Sequence, residues 1–314
     1  MKNVIIIDSS YLVFRSHFAY SKLSHNDKPI GAFFGYIKTV LNLIRIYQPM
    51  DIYIAFDLPK PTWRHQIFGD YKAGRSQPDP AMIEQFPIIN QWSSGVATSS
   101  YSKEGYEADD MINTLGYRLS IDATIDQIIV FSADKDLYQM LTLPKIKFYQ
   151  NDGKLFGCTE FIDKYELEPS QWLDYKALVG DNSDNIIGIS GIGPKTATNL
   201  LKTFDTLDVI LNIDLAAYKP INNIKPELIQ KIQFQKELLH RNLVLCKLSF
   251  VDDIEIPDSL ETISYKLEKG AETLKKYNFN SLITEIFNIQ NPKKTDSTSL
   301  GQSQAHQSWS QPLW

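Results

Sequence analysis

Cysteine is scarce in this chain: 314 residues carry only Cys158 and Cys246, far apart and in no CxxC pair. That excludes a disulfide scaffold and leaves no thiolate set for zinc, so a reducing cytoplasm is the expected setting. Long apolar runs are missing too. The opening Val4-Ile5-Ile6-Ile7 stretch stops at once in Asp8, which is too short for a signal peptide or a membrane span and suits a buried strand, so no membrane association is expected. Positive charge is in deficit. A formal net charge of -5 and a pI near 5.6 argue, on average, against a partner that is a polyanion. The average hides a segregation of acids from bases along the chain.

What is present, 43% hydrophobic and 22% charged residues, supports a sizeable core and a second lobe. Three β-branched runs lead into acids: residues 4–7 into Asp8, residues 52–56 into Asp57, and residues 128–131 into Asp134 and Asp136. They read as buried parallel strands. Residues 32–46 and 108–119 carry apolar side chains at helical spacing between them, so the fold class is α/β with a mostly parallel central sheet flanked by helices. In such sheets ligands collect outside the carboxyl ends of the strands, so these strand ends aim their carboxylates at one place. For any single one of them, an Asp serving as helix N-cap or turn former explains as much.

Residues 60–92 are broken by prolines and rich in bases: Lys60, Arg64, His65, Lys72 and Arg75 stand against Asp70 and Asp79. On charge alone this is a solvated surface loop. Residues 159–242 turn helical, and residues 260–288 return to apolar positions at Leu267, Leu274, Phe279, Leu282 and Phe287. After Gln290 the residues are mostly Gln, Ser, Thr and Lys, composition that favours disorder.

Acids cluster further at Glu107, Asp109 and Asp110, where a helix is expected to start, and at Asp181 and Asp184. The helix dipole makes acids at its start comfortable, which accounts for one or two of that group but not for three without a basic partner. An i,i+3 pair such as Asp181 and Asp184 shares a face if it lies on a helix. With Asp8, Asp57, Asp134 and Asp136 that makes nine carboxylates able to face one cavity. Their repulsion calls for divalent cations, and hard oxygen ligands without a His or Cys set point to Mg²⁺ or Mn²⁺. Next to them, Gly191-Ile192-Gly193-Pro194-Lys195-Thr196-Ala197 followed by an amphipathic helix with Lys202 reads as a helix-hairpin-helix that holds a DNA backbone without reading sequence.

These residues resemble the flap endonucleases, in particular the 5′ nuclease domain at the N-terminus of bacterial DNA polymerase I and related phage 5′ exonucleases. The resemblance covers roughly residues 3–288 and rests on Ile7-Asp8 with Arg15 downstream, Ala55-Phe56-Asp57, residues 68–75, residues 105–110, residues 133–138 and residues 180–197. It implies a PIN-like nuclease core at 1–158 with a helical arch at about 60–100, a helix-hairpin-helix subdomain at 159–245, a C-terminal helical segment at 246–290 packed on the core, and a disordered tail at 291–314. It implies two Mg²⁺ (or Mn²⁺) ions: Asp8, Asp57, Glu107, Asp109 and Asp110 around the first, Asp134 between, and Asp136, Asp181 and Asp184 around the second, some through water. Lys72 and Arg75 are implied near the scissile phosphate. Arg15, Arg64, Tyr71, Gly191, Gly193, Lys195, Thr196 and Lys202 are implied to face DNA, with K⁺ on the hairpin carbonyls. The implied activity is that of a monomeric 5′-3′ exonuclease and 5′-flap endonuclease in DNA replication and repair. Ser9 departs from the usual Gly, and no polymerase portion accompanies the nuclease. Residues 310–314 loosely resemble a sliding-clamp-binding peptide, against the plainer reading of a functionless end. Two rivals are a DNA-structure binder without catalysis, which the intact acids oppose, and a haloacid-dehalogenase-type phosphohydrolase, which Asp8-Ser9-Ser10 opposes for want of a second Asp.

Overall fold

The computed structural model describes residues 1–97, 99–150, 152–256 and 263–292. Six strands form its main sheet: β1 (Asn3–Asp8), β2 (Asp51–Ala55), β3 (Ser99–Tyr101), β4 (Gln127–Phe131), β5 (Ile146–Tyr149) and β6 (Leu155–Phe156). Their order is β3-β2-β1-β4-β5-β6, parallel throughout except for the last. This is the doubly wound order, and its direction of progression reverses between β1 and β4. In register, Asp8 lies beside Ala55 and Ile7 beside Phe131, so the chain leaves all three strands at the same edge.

Why β1 sits centrally follows from its composition. Val4, Ile5, Ile6 and Ile7 are all fully buried, and their alternation sends Val4 and Ile6 to one face, Ile5 and Ile7 to the other. Each such side chain contributes roughly 1.5–3 kcal/mol on burial. The Val4 face is covered by α5 (Ala108–Ser120) through Met111, Ile112 and Leu115. The Ile5 face is covered by α1 (Ser9–Ala19), α2 (Gly31–Tyr47) and α4 (Phe86–Val96). The basic stretch is therefore not a loop throughout: it opens with α3 (Trp63–Ile67) and ends in α4, whose Ile89, Trp92 and Val96 are core residues at helical spacing. Two C-terminal helices, α12 (Ile263–Lys275) and α13 (Asn280–Gln290), close this face. Leu267, Leu274, Phe279 and Leu282 are buried as expected, whereas Phe287 is exposed.

The second lobe comprises α6 (Cys158–Tyr165), α7 (Trp172–Val179), α8 (Pro194–Phe204), α9 (Leu207–Leu211), α10 (Pro226–Phe234) and α11 (Lys236–Cys246). Its apolar side chains, among them Trp172, Leu200 and Ile229, continue the core of the Val4 face rather than forming a separate one. Residues 310–314, and the tail from 293 onward, fall outside the described residues.

After α7 the chain folds back on itself: Gly180–Asp181 pairs antiparallel with Ile186–Ile187, enclosing a turn at 182–185. Thus Asp181 and Asp184 share a turn and not the helix face that their spacing suggests. Two glycines permit it. A Cβ on Gly180, whose φ is +80°, would lie 2.3 Å from the Gly188 nitrogen, and one on Gly188 would lie 2.2 Å from the Val179 carbonyl. Gly188→Ala is expected to lower stability by about 1–3 kcal/mol through this backbone clash; an unchanged denaturation midpoint would show that the two segments do not approach so closely.

Candidate active site

The switch point between β1 and β4 carries two acids in a hydrogen-bonded frame. Asp8 Oδ1 accepts from the Tyr11 amide (3.0 Å), capping α1, while Oδ2 accepts from Ser132 Oγ (2.8 Å). Ser132 Oγ in turn accepts from the Asp134 amide (3.1 Å), and Asp134 Oδ1 from the Asp136 amide (2.8 Å). Asp57 Oδ1 accepts from the amide of Ala108, the first residue of α5 (2.8 Å). Asp8 is thus both a helix cap and one of the converging carboxylates, while Asp57 and Asp134 are oriented by single backbone amides.

The environment penalises their charge. Burial, then Asp57 and Asp134, pushes the Asp8 carboxyl up to about 7, and burial with Asp134, Asp8 and Asp57 holds Asp109 well above the usual carboxylate range. Among the described residues, no three His, Cys, Asp or Glu side chains stand close enough to hold a metal ion directly. Spaced, hard oxygen donors that repel one another suit a hard divalent cation retaining several waters.

The remaining acids are paired. Glu107 Oε1 accepts from Lys72 Nζ (2.6 Å), and Asp184 Oδ1 from Arg75 (2.6 Å). Lys72 holds a left-handed backbone (φ +58°), with its amide donating to the Asp184 carbonyl (3.0 Å). Burial pulls the Lys72 ammonium down, but Glu107 and Asp184 outweigh it, so the ammonium is held above its ordinary value. Lys176 Nζ lies 2.6 Å from Asp136 Oδ1 and also donates to Asp181 Oδ2. Its contact with Asp136 is one of charge, without the angle of a hydrogen bond. Burial and Asp134 raise Asp136 to about 7 despite that lysine. In Asp181, Lys176 and the Ser183 hydroxyl and amide overcome burial and keep the carboxyl low.

Three residues expected at the metal or DNA have buried protein partners. Asp110 is fully buried, and both its oxygens accept from Arg64 (2.8 Å each), with further bonds from the Glu107 and Ser249 amides (3.2 and 2.9 Å). Both oxygens are thus engaged by protein donors. Arg64, 2% exposed, also donates to Glu107 and to the Leu245 and Lys247 carbonyls, so it cannot reach a phosphate. Tyr71 is buried, its hydroxyl lying between Asp184 Oδ2 (2.8 Å) and Glu107 Oε2 (3.1 Å). Arg15 lies over the Phe131 ring at 5.5 Å, near the carboxyl end of β4. Sequence reasoning missed Ser132 and Lys176. Lys176 had one signal, its place four residues after buried Trp172 on the inward face of α7, but nothing named its acidic partners.

Beside the Asp181 turn, Gly191 adopts φ +81°, Ile189 and Ile192 are buried, and Gly193 caps α8, which starts at Pro194. Gly191, Gly193 and Lys195 are exposed and Thr196 half-buried, while Lys202 is ion-paired with Glu166 (2.6 Å). Lys231 Nζ donates to the Ser190 carbonyl (2.5 Å), bracing the hairpin.

A doubly wound sheet with repelling acids at its switch point, flanked by lysine and arginine side chains and a glycine hairpin, defines an α/β nuclease. The chain belongs to the 5′-3′ exonuclease family: the N-terminal resolvase-like domain of that family matches residues 3–166, and its C-terminal SAM fold residues 167–271. The chain is 34% identical over 297 residues to DNA polymerase I of Bacillus caldotenax, covering 91% of this chain but 32% of that polymerase, so it spans about a third of such relatives. It is 33% identical over 294 residues to a 5′-3′ exonuclease of Aquifex aeolicus, covering 92% and 96% of the two chains. Its fold is similar to that of the bacteriophage T5 flap endonuclease in a pseudo-enzyme-product complex with DNA and metal ions, with a TM-score of 0.63 at 22% identity over 92% and 99% of the chains.

Replacing Arg64 with alanine is expected to cost about 3–5 kcal/mol, because Asp110 is left buried and unpaired. Equilibrium denaturation checks this, and an unaltered stability would return Arg64 to the DNA surface. Proton linkage yields a second expectation. The carboxyls of Asp8 and Asp136 ordinarily titrate near 3.8 and do so near 7 when folded, so between those values the folded chain binds more protons than the unfolded one. In the presence of a chelator, the melting-temperature advantage of Asp8→Asn over the unsubstituted chain near pH 7 should therefore shrink as pH falls toward about 4, and saturating Mg²⁺ should reduce that advantage. An advantage that stays constant across the window would contradict the assigned burial and repulsion.

Proposed function

We propose that this nuclease hydrolyses DNA phosphodiesters as a structure-specific 5′ nuclease, acting as both 5′-3′ exonuclease and 5′-flap endonuclease in replication and repair, as a cytoplasmic monomer. The observation that carries the reading is the group formed by Asp8, Asp57, Asp109 and Asp134 beside the sheet edge, where burial first and then mutual repulsion raise Asp8 and Asp109. Likeness to a flap endonuclease bound to DNA and metal ions supports the substrate class.

Asp8, Asp57, Asp109 and Asp134 would hold one divalent ion, Mg²⁺ or Mn²⁺, and Asp136, Asp181 and Asp184 a second, with Asp134 between them. When bound, such ions supply an activated water and charge stabilisation at the leaving oxygen. Lys72 and Arg75, held at the site by Glu107 and Asp184, offer positive charge to the phosphate where negative charge develops. The Tyr71 hydroxyl, within reach of both acids, gives its one proton to Asp184 Oδ2 at the shorter distance (2.8 Å) and so helps set where Arg75 points. The hairpin amides ahead of α8, with Lys195, hold a duplex backbone without base contacts, which makes substrate choice a matter of DNA shape. Backbone carbonyls of the 191–197 hairpin would also hold a K⁺ ion.

With a labelled 5′-flap duplex and Mg²⁺, short 5′ products are expected, alongside slower release from nicked and blunt duplexes. Asp134→Asn should bind the flap and leave it uncut, and cleavage that persists in EDTA would sink the metal reading. For Lys72→Ala, single-turnover cleavage should slow about 100-fold with duplex affinity kept; unchanged turnover would remove it from the catalytic residues.

A further inference from the structure

Lys176 has no part in the cleavage just described, yet it sits at the second acidic group. Its helix, α7, turns it inward with Trp172, Ala177 and Leu178, and only 7% of the residue is exposed. The ammonium bridges two acids from different parts of the chain: Asp136, from the turn after β4, and Asp181, from the ladder after α7. Ser183 braces Asp181 from the other side, through its amide (2.8 Å) and hydroxyl (2.5 Å) to Oδ1.

A buried ammonium between two carboxylates neutralises them at short range, which is also what a divalent cation on those oxygens would do. The two cannot serve together at that spot, because positive charges a few ångströms apart in a poorly solvated site repel strongly. The first group differs: Asp8, Asp57 and Asp134 have as partners an amide, a hydroxyl or another amide, and among the described residues no ion pair bridges them.

We propose that Lys176 is the resident counter-ion of the second acidic group: it keeps Asp136 and Asp181 assembled when no divalent ion is present, and a divalent ion gains those oxygens only by displacing it. The two groups therefore load unequally, the first directly and the second in competition with the ammonium. This rests on the metal reading above. Lys176 is a positioning residue in this account, acting on the acids and not on the substrate.

Mn²⁺ binding to the full chain, followed by calorimetry and by the paramagnetic resonance of the free ion, tests the inference without activity. Wild type should bind one Mn²⁺ tightly and a second weakly. In Lys176→Met the second site should tighten about tenfold, while the metal-free protein melts lower and regains its melting temperature on adding Mn²⁺. Lys176→Arg keeps the cation and should bind like wild type. Equal affinities for both ions in wild type, or a second site that is unchanged or weaker in Lys176→Met, would overturn the inference and leave the metal reading standing. Absence of any Mn²⁺ binding would overturn both.

Discussion

Carboxylates drawn together at one sheet edge repel one another, and most of the architecture around that edge can be understood as a response. β1 is buried on both faces, so Asp8 at its end is taken from water with it. Asp57 and Asp134 leave neighbouring strands at the same level. Two remedies are visible. Helix amides and the Ser132 hydroxyl orient the first group without cancelling its charge, and the carboxyls of Asp8 and Asp109 rise accordingly. Lysine and arginine side chains cancel the charge of the others: Lys72 at Glu107, Arg75 at Asp184, and Lys176 between Asp136 and Asp181.

The same separation assigns mechanical work. Arg64 and Asp110 tie α3, α5 and the C-terminal end of α11 into one unit, through a bidentate pair shielded from water. That unit fixes the base of the basic stretch, so Tyr71 and Lys72 descend onto Glu107 and Asp184 instead of trailing into solvent. On the other side, Gly180 and Gly188 let the Asp181 turn approach the same place. The second lobe shares its core with one face of the sheet, which holds the glycine hairpin in a set position relative to the acids.

Much of this was legible in the chain. The β-branched runs ending in Asp, the helical spacing at 108–119 and the Gly191–Pro194 punctuation each rest on local rules, and local rules survive folding. Legibility failed where a residue type has two uses. An acid in the first turn of a helix can face an ion or an arginine, and only the arrival of Arg64 from 46 residues away decides for Asp110. The proline-broken stretch hid α4 because its neighbours are polar, although Ile89, Trp92 and Val96 keep a helical period.

By itself, then, the sequence determined an α/β sheet, the strand ends where acids collect, and a glycine hairpin ahead of a helix, since each depends on side-chain periodicity or backbone preference within a few residues. Only the tertiary structure decided which acids are paired. Pairing is set by burial and by distances of about 3 Å between segments far apart in the chain, as when Lys176 meets Asp136 across 40 residues. That choice separates the acids left with uncancelled charge from those that hold the fold.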